Sequence, residues 1–91
     1  MFSEERFKTM YTRKIRFNAA DGVLGFINEV NDLAFDVDLK IDRYIVDAKS
    51  LVGVLTLNFR RDIEFIAHTT NKDEINKVNS ILEKYTNQIA A

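Results

Sequence analysis

The segment DAKSLVGVLTL, residues 47–57, decides how the rest of the chain can be arranged. It contains a short apolar run that begins directly after Ser50. A serine at this position favours a helix because its hydroxyl oxygen accepts a hydrogen bond from a backbone N–H of the first turn, which otherwise has no partner. We therefore expect Ser50 to be the N-cap of a short helix.

The apolar run is too continuous for all of its side chains to point in one direction. Helical spacing places Leu51, Val52 and Leu55 on one face, and Val54 and Leu57 on another. One face can enter a hydrophobic core while the other stays available to a partner.

Four segments around this run have strand character. Residues 12–18, 36–41 and 63–69 alternate polar and apolar side chains, the pattern of half-buried strands. Residues 44–47 form a further strand, and the two-residue turn at 42–43 predicts a hairpin with the strand before it.

Two further segments have helical spacing. The first runs from Val23 to Leu33 or Ala34. The second follows an N-cap at Thr70 or Asn71 and continues to the region of Tyr85. The predicted buried residues are Ile15, Phe17, Leu24, Ile27, Val30, Val37, Leu39, Ile41, Val54, Leu57, Phe65, Val78 and Leu82.

The element order is strand, helix, strand, strand, short helix, strand, helix. This order predicts an α+β open-faced sandwich, βαββαβα, with three helices on one face of a four-stranded antiparallel sheet. Residues 1–11 are expected to form an N-terminal extension, and residues 12–91 a single domain.

The composition and the net charge exclude several classes of functional site and partner. The chain has no cysteine, which excludes a disulfide scaffold and a thiolate metal site, and we expect neither a cofactor nor a metal ion. No signal peptide or membrane-spanning run is evident, so we expect a cytoplasmic protein without a membrane partner. A net charge of −1 gives no general attraction to nucleic acid. The basic residues are interleaved with acids, which favours a solvated mixed-charge sheet face over an RNA-binding one.

The run from Lys49 to Leu57, KSLVGVLTL, resembles the signature around the regulatory serine of the HPr family, the phosphocarriers of the sugar phosphotransferase system. The family signature is Lys-Ser-[Ile/Leu]-[Met/Val]-Gly-Val-[Leu/Met]-[Ser/Thr]-Leu. The resemblance covers about 75 residues and implies the open-faced sandwich described above.

The chain departs from that family at the active site. HPr proteins carry Gly-[Ile/Leu]-His-[Ala/Thr]-Arg-Pro-Ala at the start of the first helix, where the histidine accepts the phosphoryl group. The corresponding loop here has no histidine, arginine or proline, and it consists of Asn18, Ala19, Ala20, Asp21 and Gly22. A carboxylate at Asp21 would repel an incoming phosphoryl group, so histidine phosphotransfer is not expected.

Two other residues are possible phosphoryl acceptors. His68, the only histidine, is predicted to be a surface residue near the end of the fourth strand. Asp21 lacks the surrounding metal-binding acids of an aspartyl phosphate site, and its position favours a helix cap.

The resemblance implies a regulatory, protein-binding protein rather than an enzyme. Ser50 is the candidate phosphorylation site, and Lys49, Leu51, Val52 and Leu55 are the candidate partner-binding residues. The implied partners are an HPr-type serine kinase and a transcriptional regulator of carbon catabolite control. An active phosphocarrier with an unrecognised acceptor, or an unrelated small α+β adaptor, are the alternatives.

Overall fold

The computed structural model describes residues 10–58 and 60–89 of the chain. The elements in chain order are β1 (Tyr11–Phe17), α1 (Gly22–Asn31), β2 (Val37–Ile41), β3 (Tyr44–Asp47), α2 (Leu51–Leu55), β4 (Ile63–Ala67), α3 (Lys72–Tyr85) and β5 (Thr86–Gln88). Most of the expected extension, residues 1–9, lies outside the described residues. Tyr11, which the sequence places in that extension, is instead the first residue of β1.

The strands form one antiparallel sheet in the order β3-β2-β4-β1-β5. The predicted α+β class and antiparallel sheet are confirmed, but the predicted number of four strands is wrong. The chain continues from the end of α3 into β5, which pairs with β1 through Ile15–Gln88, Arg16–Asn87 and Phe17–Thr86. β1 therefore lies inside the sheet, between β4 and β5.

The hydrophobic core lies between the sheet and the helices. Alternate strand residues point into it, and Ile15, Leu39 and Phe65 on three neighbouring strands are almost completely buried. Burying large apolar side chains is the main source of stability in a small domain. All of the predicted core residues are buried except Leu57, which is half-buried, and Leu24.

The prediction for Leu24 is wrong because α1 presents a different face to the core. Its buried residues are Val23, Phe26, Ile27 and Val30, whereas 57% of the Leu24 surface is exposed. Residues 23, 26, 27 and 30 follow the i, i+3, i+4, i+7 pattern of one helical face. This pattern includes Phe26, a larger apolar side chain than Leu24.

Helices α1 and α3 approach each other closely at Gly25. A Cβ atom at this position would lie 2.8 Å from Cε1 of Tyr85, so the absence of a side chain permits the contact. The next residue, Phe26, contacts three other aromatic rings. Its ring centroid lies 5.0 Å from that of Phe17, 6.2 Å from that of Phe65 and 6.5 Å from that of Tyr85. All three pairs have the edge-to-face geometry that aromatic rings prefer.

The start and end of α3 are both fixed by side-chain hydrogen bonds. Of the two predicted N-cap candidates, Thr70 and Asn71, the N-cap is Asn71, whose side chain accepts a hydrogen bond from the Glu74 N–H at 3.1 Å. After the helix, the buried Thr86 donates its hydroxyl to the Leu82 carbonyl at 2.7 Å. This bond is made where the helix passes directly into β5.

None of the helices in the described part of the chain combines the length and the apolar character needed to cross a bilayer.

Candidate functional site

Ser50 is the N-cap of α2, as the sequence predicts. Its backbone is extended, with φ −96° and ψ 111°, and its Oγ accepts a hydrogen bond from the Gly53 N–H at 3.2 Å. The residue is half-buried, so part of its surface is accessible to solvent. This geometry is the one by which serine stabilises the first turn of a helix.

The turn between β3 and α2 holds Ser50 in this position. The Asp47 carbonyl accepts a hydrogen bond from the Ser50 N–H at 3.0 Å, and its carboxylate accepts one from the Lys49 N–H at 2.8 Å. Ala48, between them, is completely buried and donates its N–H to the Val37 carbonyl on β2. The start of α2 is therefore bonded to two strands, to β3 through Asp47 and to β2 through Ala48.

Lys49 makes contacts that sequence reasoning did not anticipate. Its ammonium group donates to the Leu33 carbonyl at 2.7 Å, just beyond the C-terminal end of α1, and its own carbonyl accepts from the Asn31 amide at 3.1 Å. A cation at this end of a helix interacts favourably with the helix dipole. Lys49 thus connects α1 to the start of α2, and it is half-exposed beside Ser50.

The apolar run divides into two faces as the sequence predicts. Val54 is completely buried and Leu57 is half-buried against the core. Leu51, Val52 and Leu55 are exposed, by 41%, 77% and 58% respectively. Three apolar side chains are therefore accessible on α2, the helix that Ser50 caps.

The neighbouring strand β3 adds two further exposed side chains, which sequence reasoning did not identify. Tyr44 is 73% exposed and Ile45 is 59% exposed. Within the described residues, six large apolar side chains are exposed, and all but Leu24 belong to α2 or β3. A groove between β3 and the end of α2 is lined in part by Tyr44, Val46 and Leu57.

The Asn18–Gly22 loop is held by backbone hydrogen bonds at both of its ends. Asn18 donates its N–H to the Tyr85 carbonyl at 3.0 Å, and Gly22 donates to the Ala19 carbonyl at 3.2 Å. Asp21 occupies the N-cap position of α1, but its side chain makes no capping hydrogen bond. The predicted cap position is therefore confirmed, but the side chain takes no part in it, and the backbone at Asp21 is already helical, with φ −71° and ψ −20°.

A cleft beside this loop is lined by Arg16 and Arg60 together with Ala19 and Ala20. Arg16 is paired with Asp62, whose Oδ1 lies 2.6 Å from its Nη2 and 3.0 Å from its Nε. This pairing neutralises much of the positive charge that Arg16 could offer to an anion.

His68 is exposed, as predicted, and lies directly after β4. Its Nε2 lies 2.8 Å from Oδ2 of Asp38, and its backbone N–H donates to the Asp36 carbonyl. The β1–β4 register places His68 beyond the Tyr11 end of β1, whereas the Asn18–Gly22 loop follows the Phe17 end. The length of β1, about 20 Å, therefore separates His68 from that loop.

The face of the sheet opposite the helices carries mixed charges. Arg16, Lys14 and Lys40 alternate there with Glu64 and Asp38. Phe17 and Phe65 are buried on the other face, at 6% and 1% exposure. No group of three or more His, Cys, Asp or Glu side chains in residues 10–58 and 60–89 is arranged to hold a metal ion.

Compared with known proteins, the chain matches no family model, and neither a curated protein nor a solved structure is significantly similar to it. The resemblance to HPr therefore depends on the sequence motif around Ser50.

Proposed function

We propose that this chain is an HPr-like regulatory protein of the sugar phosphotransferase system, which acts by binding other proteins and does not carry phosphoryl groups on histidine. The observation that carries the proposal is the half-exposed Ser50 beside the exposed Leu51, Val52 and Leu55. A partner can contact this apolar surface and a phosphorylated Ser50 together.

Phosphorylation of Ser50 would change the surface strongly. A phosphoserine carries a charge of about −1.5 to −2 at pH 7 and three strong acceptor oxygens. The ammonium group of Lys49 is already bonded to the Leu33 carbonyl, and the neighbouring Asp47 is acidic. The balancing positive charge is therefore expected from arginine or lysine side chains of the partner.

The loop and His68 favour binding over phosphotransfer. The loop offers alanines where the HPr family has its acceptor histidine, and His68 lies at the opposite end of β1. Incubation with enzyme I of the phosphotransferase system and phosphoenolpyruvate is expected to leave the protein without acid-labile phosphohistidine. Stoichiometric phosphate on His68 would instead establish an active phosphocarrier.

The decisive experiment is a pull-down with phosphorylated and unmodified protein, followed by the Leu51→Glu variant. Phosphorylation should change the set of bound proteins, and Leu51→Glu should abolish binding of the phosphorylated form. Leu24→Glu is the matched control, because Leu24 is a similarly exposed leucine on a different helix, α1. Identical partners for all forms would show that Ser50 serves only as a helix cap.

Ser50 variants separate capping from regulation. Ser50→Ala should lower the free energy of unfolding by about 0.5–2 kcal/mol, whereas Ser50→Asp should preserve it, because aspartate caps as well as serine. If regulation depends on the phosphate, both variants should fail to respond to the kinase although only one of them loses stability.

A further inference from the structure

β3 is one of the two edges of the sheet, and its outer side is open to pairing with another strand. Among the described residues, β2 is the only strand that pairs with it. Tyr44 and Ile45 are exposed there, and the strand YIVD contains no proline or lysine, the residues that commonly block such edges. The opposite edge, β5, has the polar sequence TNQ.

The β2–β3 ladder shows which backbone groups of β3 point outward. Ala48 donates to the Val37 carbonyl, so this facing pair is of the hydrogen-bonded type. Hydrogen-bonded pairs alternate along an antiparallel ladder, which makes Val46 and Tyr44 bond to β2 in the same way. The N–H and C=O groups of Ile45 and the N–H of Asp47 therefore point away from the sheet.

We propose that two copies of this chain associate through β3, in antiparallel orientation, around a two-fold axis at Ile45. In this register the two Ile45 residues exchange reciprocal backbone hydrogen bonds, and Arg43 of each copy faces Asp47 of the other. A two-fold axis makes both halves of the interface identical, which is the commonest symmetry of protein dimers. The product is one continuous ten-stranded sheet.

Charge and side-chain size favour this register over its neighbours. Arg43 is exposed and forms no ion pair with any residue of the described ranges, so it is available to a partner's Asp47. Tyr44 of one copy faces Val46 of the other, on the helix side of the sheet. Shifting the pairing by two residues keeps the hydrogen-bonding geometry, but it places Arg43 or Asp47 against Ile45 and shortens the interface.

The helix layer supports the same arrangement. The two-fold axis runs perpendicular to the sheet, so the helices of both copies lie on the same side. α2 packs on β3, with a Cβ atom built at Gly53 lying 3.4 Å from Cβ of Val46. The helix that carries the exposed Leu51, Val52 and Leu55 therefore lies over the strand through which the two copies meet. The proposal depends on β3 and is independent of phosphorylation at Ser50.

The test is the mass of the full chain in solution, measured by analytical ultracentrifugation over a range of concentrations. We expect a dimer of twice the 10.5 kDa monomer mass. Ile45→Lys places two ammonium groups opposite each other at the axis and should raise the dissociation constant by about tenfold or more. Asn87→Lys introduces the same charge at an exposed position on the opposite edge and should leave the dimer intact.

A cross-linking experiment tests which edge of the sheet forms the interface, without depending on weakened variants. The chain has no cysteine, so Ile45→Cys and Asn87→Cys each provide one defined thiol. A short bismaleimide should join two Ile45→Cys chains and leave Asn87→Cys chains separate. A monomeric wild-type chain, a dimer that persists in Ile45→Lys, or equal cross-linking of both cysteine variants would each overturn the proposal.

Discussion

Individual polar residues connect the helices through a small network at the surface. The Glu29 carboxylate on α1 accepts hydrogen bonds from the Tyr85 hydroxyl and from the Lys84 ammonium group on α3, the latter at 3.0 Å. These bonds hold the pKa of Glu29 below its usual value, with the Tyr85 bond the larger cause. The hydrogen bond that each of them makes with Glu29 raises the pKa of Tyr85 and of Lys84.

The lowered pKa of Glu29 predicts a pH-dependent contribution to stability. A carboxyl whose pKa is lower in the folded state stabilises the protein above its ordinary, unfolded pKa, and the contribution is lost as the pH falls through the folded pKa. Glu29→Gln should therefore lower the urea midpoint at pH 7 and have less effect at pH 3.5. Glu83→Gln, at an exposed position on α3, controls for the loss of one charge. An equal effect of Glu29→Gln at both pH values would contradict the prediction.

At the scale of elements, the orientation of α1 is the clearest difference between sequence and structure. Leu24 and Ile27 are large aliphatic residues three positions apart, and the sequence assigned both to the core. Only Ile27 is buried, at 5% exposure, because Phe26 occupies the centre of the aromatic cluster and fixes the rotation of the helix.

These two residues form a matched pair for mutagenesis. Ile27→Ala should lower the free energy of unfolding by about 2–5 kcal/mol, the usual cost of truncating a buried aliphatic side chain. Leu24→Ala should change it by about 0.5 kcal/mol or less, as at most exposed positions. Chemical denaturation measures both, and similar losses for the two variants would show that α1 presents Leu24 to the core after all.

Removing the fifth strand should also lower the stability of the domain. Ending the chain at Tyr85 removes the pairing of β5 with β1, the buried Thr86 and its bond to Leu82. The expected loss is on the order of 3 kcal/mol, from several hydrogen bonds of about 1 kcal/mol each. Thermal unfolding and light scattering measure the loss and any aggregation through the exposed edge of β1. The full chain, measured under the same conditions, is the control.

Local sequence patterns predicted the elements with the clearest period and the best caps. Ser50 was predicted as an N-cap, and Asn71 as one of two candidates, because capping depends on the residue and its next three neighbours. β5 was missed because Thr86-Asn87-Gln88 has no apolar alternation and no turn residue separates it from α3. Tyr44 and Ile45 were missed as surface residues because their exposure depends on β3 being an edge, which only the strand order determines.

At the scale of the whole molecule, the sheet joins distant parts of the chain. β1 pairs with β4 and β5. The pairing of Ile15 with Gln88 joins residues that lie close to the two ends of the described chain. Folds that depend on such long-range pairing fold slowly, because the entropy of closing a long loop must be overcome before the contacts form. Stopped-flow refolding should therefore take milliseconds to seconds, and a microsecond phase that carries the full amplitude would contradict this.

The position of β1 also affects how the protein is made. Because the ribosome synthesises the chain from its N-terminal end, β1 emerges before both of its neighbours in the sheet, β4 and β5. Until β4 and β5 have been synthesised, both edges of β1 lack their native strand partners. The nascent chain therefore passes through a period in which a chaperone can bind this segment, and that period ends only when residues 86–88 have left the ribosome.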